Sequence, residues 1–351
     1  MGGVIRVLKF TSIFHSLYGV VLGSPTLLQT WLEKRFPGEH YELAPASSDA
    51  SFRRYFRVAV RGTTQIVMDA PPDKEDCRPF IHVAGLMQAA GLHVPHVLAS
   101  DLDHGFLLLT DLGNVTYLTA LQGGKPHELF LNAIDALVTW QLATRANVLP
   151  PYDEALLRRE LDLFPDWYIA KHLKLALSTE QRQRLESVFS LVLKNNLAQP
   201  TVYVHRDYMP RNLMVTTPNP GILDFQDAVI GPISYDVASL FRDAFISWEE
   251  EQILDWIIRY WERARKASLP VPTDFSDFYR DVEYMGLQRH LKVAGIFARI
   301  NYRDGKPHYL SDIPRFIGYI RHTCERYGEL RPLLKLLDEL EGAEAKVGYT
   351  F

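Results

Sequence analysis

His205, Asp207, Asn212 and Asp224 lie in one short stretch, TVYVHRDYMPRNLMVTTPNPGILDFQD, where two β-prone runs interrupt an otherwise helical region. Their types suit one kind of chemistry. A carboxylate at 207 can orient a hydroxyl and take its proton, while the amide oxygen of Asn212 and the carboxylate of Asp224 suit a hard cation that prefers oxygen ligands. Moving a phosphoryl group needs these parts: an acceptor hydroxyl held in line with the phosphorus, and cations to neutralise the phosphate oxygens. Asp and Asn also serve as plain turn and capping residues, but all three together in this context exceed what turns require.

His205-Arg206-Asp207 followed by Asn212 has the H-R-D-x-x-x-x-N spacing of a phosphotransferase catalytic loop, and Asp224-Phe225-Gln226 follows where kinases carry Asp-Phe-Gly. On these motifs, residues 24–340 resemble the aminoglycoside phosphotransferase and choline kinase family. The resemblance implies a two-lobed, protein-kinase-like α+β fold, with a small β-rich N-lobe and a larger, mainly helical C-lobe. It also implies Asp207 as catalytic base, Asn212 and Asp224 on Mg2+, and ATP as co-substrate. Asp236, in Pro-x-x-Tyr-Asp-Val-Ala, matches the family's buried aspartate that braces the catalytic loop. His205 and Asp236 are therefore expected to be structural.

Three further segments look like the anomeric amino-sugar kinases of bacterial cell-wall recycling: SSDASFRRY at 47–55, MDAPP at 68–72 and LQRHLK at 287–292. That resemblance implies phosphorylation of N-acetylmuramate or N-acetylglucosamine at C1. An aminoglycoside or choline-type acceptor is the alternative within the same chemistry. A nucleotide-binding pseudokinase that regulates a partner is the alternative outside it.

The nucleotide side departs from the protein-kinase pattern. The phosphate-covering hairpin, Ser47 to Ser51, is built from small polar residues rather than a glycine-rich repeat; its amides and the hydroxyls of Ser47, Ser48 and Ser51 can still cradle phosphate. The third strand reads Ile66-Val67-Met68-Asp69 where a lysine would grip the α- and β-phosphates, and the helix around 80–90 has no glutamate to pair with one. Arg53 or Arg54 is expected to supply the missing charge, since a guanidinium fork suits phosphate oxygens, although an arginine on a strand is ordinarily a solvated side chain. By the resemblance, Thr110 and Leu112 offer backbone groups to the adenine edge.

The acceptor side is read from charge. Residues 286–322 hold Arg289, Lys292, Arg299, Arg303, Lys306, Arg315 and Arg321, opposed within the segment by Asp304 and Asp312. A basic surface favours an anionic acceptor over a polycationic one. Arg289 or His290 is the expected contact, although arginines at helical spacing also make solvated faces. Arg211 and Asp227 are candidates to shape the acceptor site. Trp167, Tyr168, Trp248 and Trp256 are either platforms for a sugar ring or core.

The positioning elements follow from periodicity. Residues 41–43, 55–60, 65–68, 94–100 and 106–109 read as strands around one helix near 80–90, and from Tyr117 long amphipathic stretches take over at 128–143, 153–175 and 180–197. The expected division is an extension at 1–23, a nucleotide-binding N-lobe at 24–110 and a catalytic C-lobe at 111–351. Ser24-Pro25 reads as the cap and first turn of the opening helix. Within the extension, Arg6 and Lys9 precede an apolar stretch that loosely imitates a signal peptide, but His15, Ser16 and Tyr18 break it.

The 351 residues, 47% hydrophobic and 23% charged, suffice for two packed lobes. A net charge of -4 provides no global basic field for nucleic acid or anionic membranes. No uninterrupted apolar span of about 20 residues occurs. Two cysteines, Cys77 and Cys324, cannot make a disulfide framework or a metal-thiolate site. A cytoplasmic monomer with ATP and a small sugar as its partners is the resulting expectation.

Overall fold

The computed structural model describes residues 24–47 and 52–342. The expectations for 1–23, Ser48 and Ser51 lie outside the described residues. The chain forms two compact units, one running to Arg78 and including Val97–Asp111, the other comprising Pro79–His96 and the chain from Leu112 onward.

In the first unit, α1 (Ser24–Arg35) precedes the strands β1 (Tyr41–Ser47), β2 (Arg54–Val60) and β3 (Thr63–Asp69). After α2 (Arg78–Ala89), which belongs from Pro79 to the second unit, come β4 (Val97–Asp101) and β5 (Phe106–Thr110). The five strands make one antiparallel sheet in the order β1-β2-β3-β5-β4. Alternation along β2 buries Phe56, Val58 and Val60 on one face. Leu28, Trp31 and Leu32, at helical spacing on α1, pack with Phe56, Val58, Val67, Phe106 and Leu108. Each such side chain contributes about 1.5 to 3 kcal/mol by leaving water. Arg61 and Gly62 both take positive φ, 53° and 74°, as the tight turn between β2 and β3 demands.

The second unit carries α3 (Tyr117–Leu121), α4 (Pro126–Leu142) and α5 (Glu154–Leu161), then a π-helical segment at Phe164–His172 and α6 (Thr179–Ala198). The single helix expected over 153–175 is thus two pieces. Pro165 lacks the N–H that would continue the ladder, and the chain re-forms with wider turns beyond it. Two small antiparallel ribbons follow: β6 (Thr201–Val204) pairs with β9 (Val229–Pro232), and β7 (Leu213–Met214) pairs with β8 (Gly221–Ile222). The helices α7 (Tyr235–Phe241), α8 (Glu250–Lys266), α9 (Phe275–Asp304), α10 (Ile313–Arg326) and α11 (Arg331–Leu340) complete the unit.

α9 is its spine. It spans 30 residues, capped by the Asp274 side chain on the Ser276 N–H and stopped by Gly305 at φ 69°. Eighteen of its residues are buried, among them the polar run Gln288, Arg289, His290 and Lys292. At Gly295 the backbone of Leu163 comes so close that an added Cβ would lie 2.3 Å from its carbonyl oxygen. Trp256, 2% exposed, packs with Phe130, Phe241 and Trp248 as core rather than as a platform, and Tyr168 is buried against Phe164.

Candidate active site

The ribbon β6/β9 delivers the chain to His205, and the ribbon β7/β8 ends just before Asp224. The segment after β6, 205–212, is held both by its own polar groups and by groups from elsewhere in the second unit, Leu223 and Asp236 among them. His205 is fully buried; its Nε2 lies 3.0 Å from the Leu223 carbonyl and its Nδ1 accepts the Asp207 N–H at 3.3 Å. The carbonyl can only accept, so Nε2 carries the proton and Nδ1 the lone pair. Burial lowers the imidazole to about 4, which keeps this neutral tautomer in place.

Asp236, at the first turn of α7, accepts the backbone N–H groups of both His205 (2.7 Å) and Arg206 (3.0 Å), one on each carboxylate oxygen. Complete burial pushes its carboxyl up to about 7 against the pull of those two donors. Arg206 takes φ 76° and Asp224 φ 63°, left-handed conformations that cost free energy for residues with a Cβ. The strain sits at the residue before Asp207 and at Asp224, where the surrounding hydrogen bonds must hold it.

Asn212 turns its amide nitrogen to the Asp207 carbonyl (2.9 Å) and to Oδ2 of Asp224 (3.2 Å). With the nitrogen committed, its oxygen is the end left to face a cation. Gln226, where kinases have glycine, donates to Oδ1 of Asp224 at 2.7 Å. Its own Oε1 is buried without a hydrogen-bond partner among the described residues. A carboxylate, an amide oxygen and a neighbouring orphaned amide oxygen form a donor set that fits a hard divalent cation. Phe225 is buried and packs on Phe80 of α2, with ring centroids 4.8 Å apart.

The expected substrate contacts fare unevenly. Arg211 places its guanidinium over the Phe245 ring, 4.7 Å from the centroid, and Asp227 is exposed. Arg289 and His290 correct the expectation of a basic presenting face. Both are buried, at 2% and 0% exposure, because α9 is enclosed on this side rather than solvated. Arg289 reaches Met209 of the catalytic segment and lies in electrostatic range of Asp236 and Asp243. His290 packs against Phe316 and Tyr319 of α10, and burial drives its basicity well down. The basic tail is also more balanced than its sequence suggested. Asp304 pairs with Arg303, Asp312 with Arg315, and Asp338 and Glu341, both beyond the segment, with Arg321.

On the nucleotide side, Arg54 and Asp69 are cross-strand partners and form an ion pair, Arg53 pairs with Glu75 at 2.8 Å, and Arg57 clamps Asp111 with two bonds of 2.5 and 2.9 Å. The third strand therefore presents a carboxylate matched by an arginine of its neighbour. Ser47 ends β1 opposite Tyr55, Thr110 ends β5 opposite Gln65, and the Leu112 side chain lies against Gly221.

Several residues of the site escaped the sequence reading. Glu160 of α5 binds Arg206 at 2.6 Å and Lys292 at 2.8 Å, and it also accepts from Tyr152 and from Gln288 (3.1 Å). Gln288 and Lys292, one turn apart in the LQRHLK segment, were available as a signal; no local pattern marks Glu160 as their partner. Asp243, buried beside Arg289 and Arg211 and pushed up to about 6 by burial, was likewise unmarked.

The profile of the Phosphotransferase enzyme family matches residues 42–269. A protein from Pseudomonas aeruginosa, named N-acetylmuramate/N-acetylglucosamine kinase, is 56% identical over 87% of this chain and 90% of its own length. Among solved structures, aminoglycoside phosphotransferase APH(2'')-Ib in its ADP-bound form superposes with a TM-score of 0.56 at 13% identity, covering 84% of this chain and 97% of that one. Choline kinase from Cryptosporidium parvum Iowa II superposes with a TM-score of 0.59 at 13% identity, covering 89% and 99%. The fold is that of these protein-kinase-like enzymes.

Proposed function

Because the chain belongs to the phosphotransferase enzyme family, we propose that it transfers the γ-phosphoryl of ATP to the anomeric hydroxyl of N-acetylmuramate or N-acetylglucosamine. The observation that carries the reaction type is the cluster of Asp207, Asn212 and Asp224, tied together through the Asn212 amide. The acceptor is supported by the name of the Pseudomonas aeruginosa relative, over nearly the whole of both chains.

In this reading the Asp207 carboxylate orients the C1 hydroxyl and accepts its proton as the oxygen attacks the γ-phosphorus. The bond from phosphorus to the bridging oxygen breaks, and ADP leaves with that electron pair. An anomeric hydroxyl is more acidic than an ordinary alcohol, so positioning and charge neutralisation carry most of the acceleration. Asn212 and Asp224 are the residues to hold Mg2+, which when bound neutralises phosphate charge. Arg53 or Arg54 provides further positive charge for the phosphates, and the Thr110 to Leu112 backbone serves the adenine edge. Arg211 and Asp227 shape the acceptor side. In this reading the enzyme acts in the cytoplasm as a monomer. Among the described residues no helix is long and apolar enough to cross a membrane.

The test is coupled ADP release with magnesium and ATP across N-acetylmuramate, N-acetylglucosamine, kanamycin and choline, with phosphorus NMR of the product. Phosphate on C1 of an amino sugar is the expected result. Turnover only with kanamycin or choline would replace the acceptor, and tight ATP binding without turnover would make the chain a nucleotide-binding regulator.

A further inference from the structure

Beside the catalytic loop, four side chains of the second unit converge on one carboxylate. Glu160 of α5 receives the Arg206 guanidinium and the Lys292 ammonium on the same oxygen, Oε1, at 2.6 and 2.8 Å. Its other oxygen accepts from Tyr152 and, at 3.1 Å, from Gln288. Lys292 also donates to the Tyr235 hydroxyl at 3.1 Å. The Arg206 guanidinium carbon lies 5.5 Å from the centroid of the Tyr152 ring, and the Tyr152 side chain seats against Gly231 of β9, where an added Cβ would come within 2.9 Å of its own Cβ and 3.0 Å of the ring.

Such a cluster is a poor way to gain stability. A buried ion pair returns little more than its desolvation costs, and apolar residues of equal volume often do as well. Its position suggests another use. Arg206 immediately precedes Asp207, and Tyr235 immediately precedes Asp236, which holds the His205 and Arg206 amides. Lys292 and Glu160 therefore join the side-chain anchor of the catalytic loop to its backbone anchor.

The charges are also unequal. Two cations meet one carboxylate, and the surplus positive charge lies in electrostatic range of Asp207. The groups around Asp207 are His205, held neutral; Arg206 on the loop; Lys292 on α9; and Asp236 on α7. In switchable kinases, a phosphate added to a loop supplies the anion that an arginine needs to order the site. Here a carboxylate of the fold is already in that place.

We propose that Glu160 and Lys292 are positioning residues for Asp207, forming a permanent ionic brace that holds the catalytic loop in its strained, active geometry without any modification. This rests on Asp207 being the base of the proposed reaction. The brace explains why α9 buries Gln288 and Lys292 one turn apart: both side chains must reach Glu160.

The test uses the full chain and two readouts. In Lys292→Met, kcat falls roughly tenfold or more while the Michaelis constants for ATP and sugar move less than about twofold, since the loss belongs to the reacting geometry. Lys292→Arg recovers most of the rate. In parallel, hydrogen exchange at the His205 and Arg206 amides speeds up in Lys292→Met while exchange in β2 and β3 is unchanged. If Lys292→Met does not fold, Tyr235→Phe, which removes one hydroxyl, replaces it and shows a smaller kcat loss with flat Michaelis constants and the same local exchange.

A folded Lys292→Met with wild-type kcat and unaltered exchange at 205 and 206 would overturn the proposal, as would a loss carried wholly by the Michaelis constants. If the wild type is silent with every acceptor but the exchange changes as described, the proposed reaction falls and the brace stands.

Discussion

Asn212 donates its side-chain amide to Oδ2 of Asp224 at 3.2 Å, joining the end of the catalytic loop to a residue two positions past the β7/β8 ribbon. The bond, with that to the Asp207 carbonyl, engages the donor end of Asn212 and leaves its oxygen as the end available for the proposed cation. Asp224→Ala should therefore abolish the magnesium dependence of ATP binding in calorimetry, leaving only weak, metal-independent binding. Wild-type magnesium dependence in this variant would remove Asp224 from the metal site.

Asp207→Asn keeps the size and loses the proton acceptor. Turnover should drop by roughly 10²- to 10⁴-fold, while magnesium-ATP affinity stays within about twofold, because the role proposed for Asp207 is toward the acceptor rather than the nucleotide. Retained turnover in coupled ADP release would refute its assignment as base.

Arg53 and Arg54 each pair with a carboxylate of the same unit. If they also take the role of the absent strand lysine, the double change Arg53→Ala, Arg54→Ala raises the ATP Michaelis constant and spares that of the sugar. Steady-state kinetics with ATP varied decides it; an unchanged constant would send the search elsewhere.

His205 sets a pH dependence of stability. Its folded value, about 4, lies below the ordinary 6.5, so the unfolded chain takes the proton first. The contribution is fully present above pH 6.5 and is lost as pH falls toward 4, on the order of 3 kcal/mol in all. Asp236, raised to about 7, works with the opposite sign between pH 7 and its ordinary 3.8. The measurable quantity is thus a difference: urea unfolding at pH 7.5 and pH 5 should show the wild type losing about 2 kcal/mol more than His205→Gln. Equal losses would mean that His205 is not held neutral.

Two glycines of α9 should answer oppositely to alanine. At Gly295 the added carbon meets the Leu163 backbone, which cannot swing aside, and the change should cost about 1 to 3 kcal/mol. At Gly286 it meets only ordinary contacts, at 3.5 Å to His290 and 3.8 Å to Ala238, so the helical preference for alanine should leave stability level or up to about 1 kcal/mol higher. Thermal unfolding of the pair tests whether α9 lies against the Leu163 backbone at Gly295 as described.

The legible part of the site was the part written in consecutive residues. His205 to Asn212 and Asp224 to Gln226 carry the proposed base and cation ligands in a recognisable spacing, and the structure brings Asn212 and Asp224 together by a hydrogen bond. The sheet was legible for a similar reason: alternation in β2 and apolar density in β3 and β5 declare their buried faces. The break at Pro165 was equally local, yet the amphipathic pattern running through it masked the change of helix type. Arg289 and His290 were expected on a basic surface facing the acceptor, and the packing of α10 and the catalytic segment, which no local pattern announces, buries both.

By itself, then, the sequence determined the reaction class, since phosphoryl transfer demands particular side chains at particular separations and the chain carries candidates for them within one short segment. What holds that loop was decided by tertiary structure alone. Glu160 meets Arg206 and Lys292 only because α5, the loop and α9 converge, and the free energy that makes a buried carboxylate tolerable there comes from partners that no local pattern can announce.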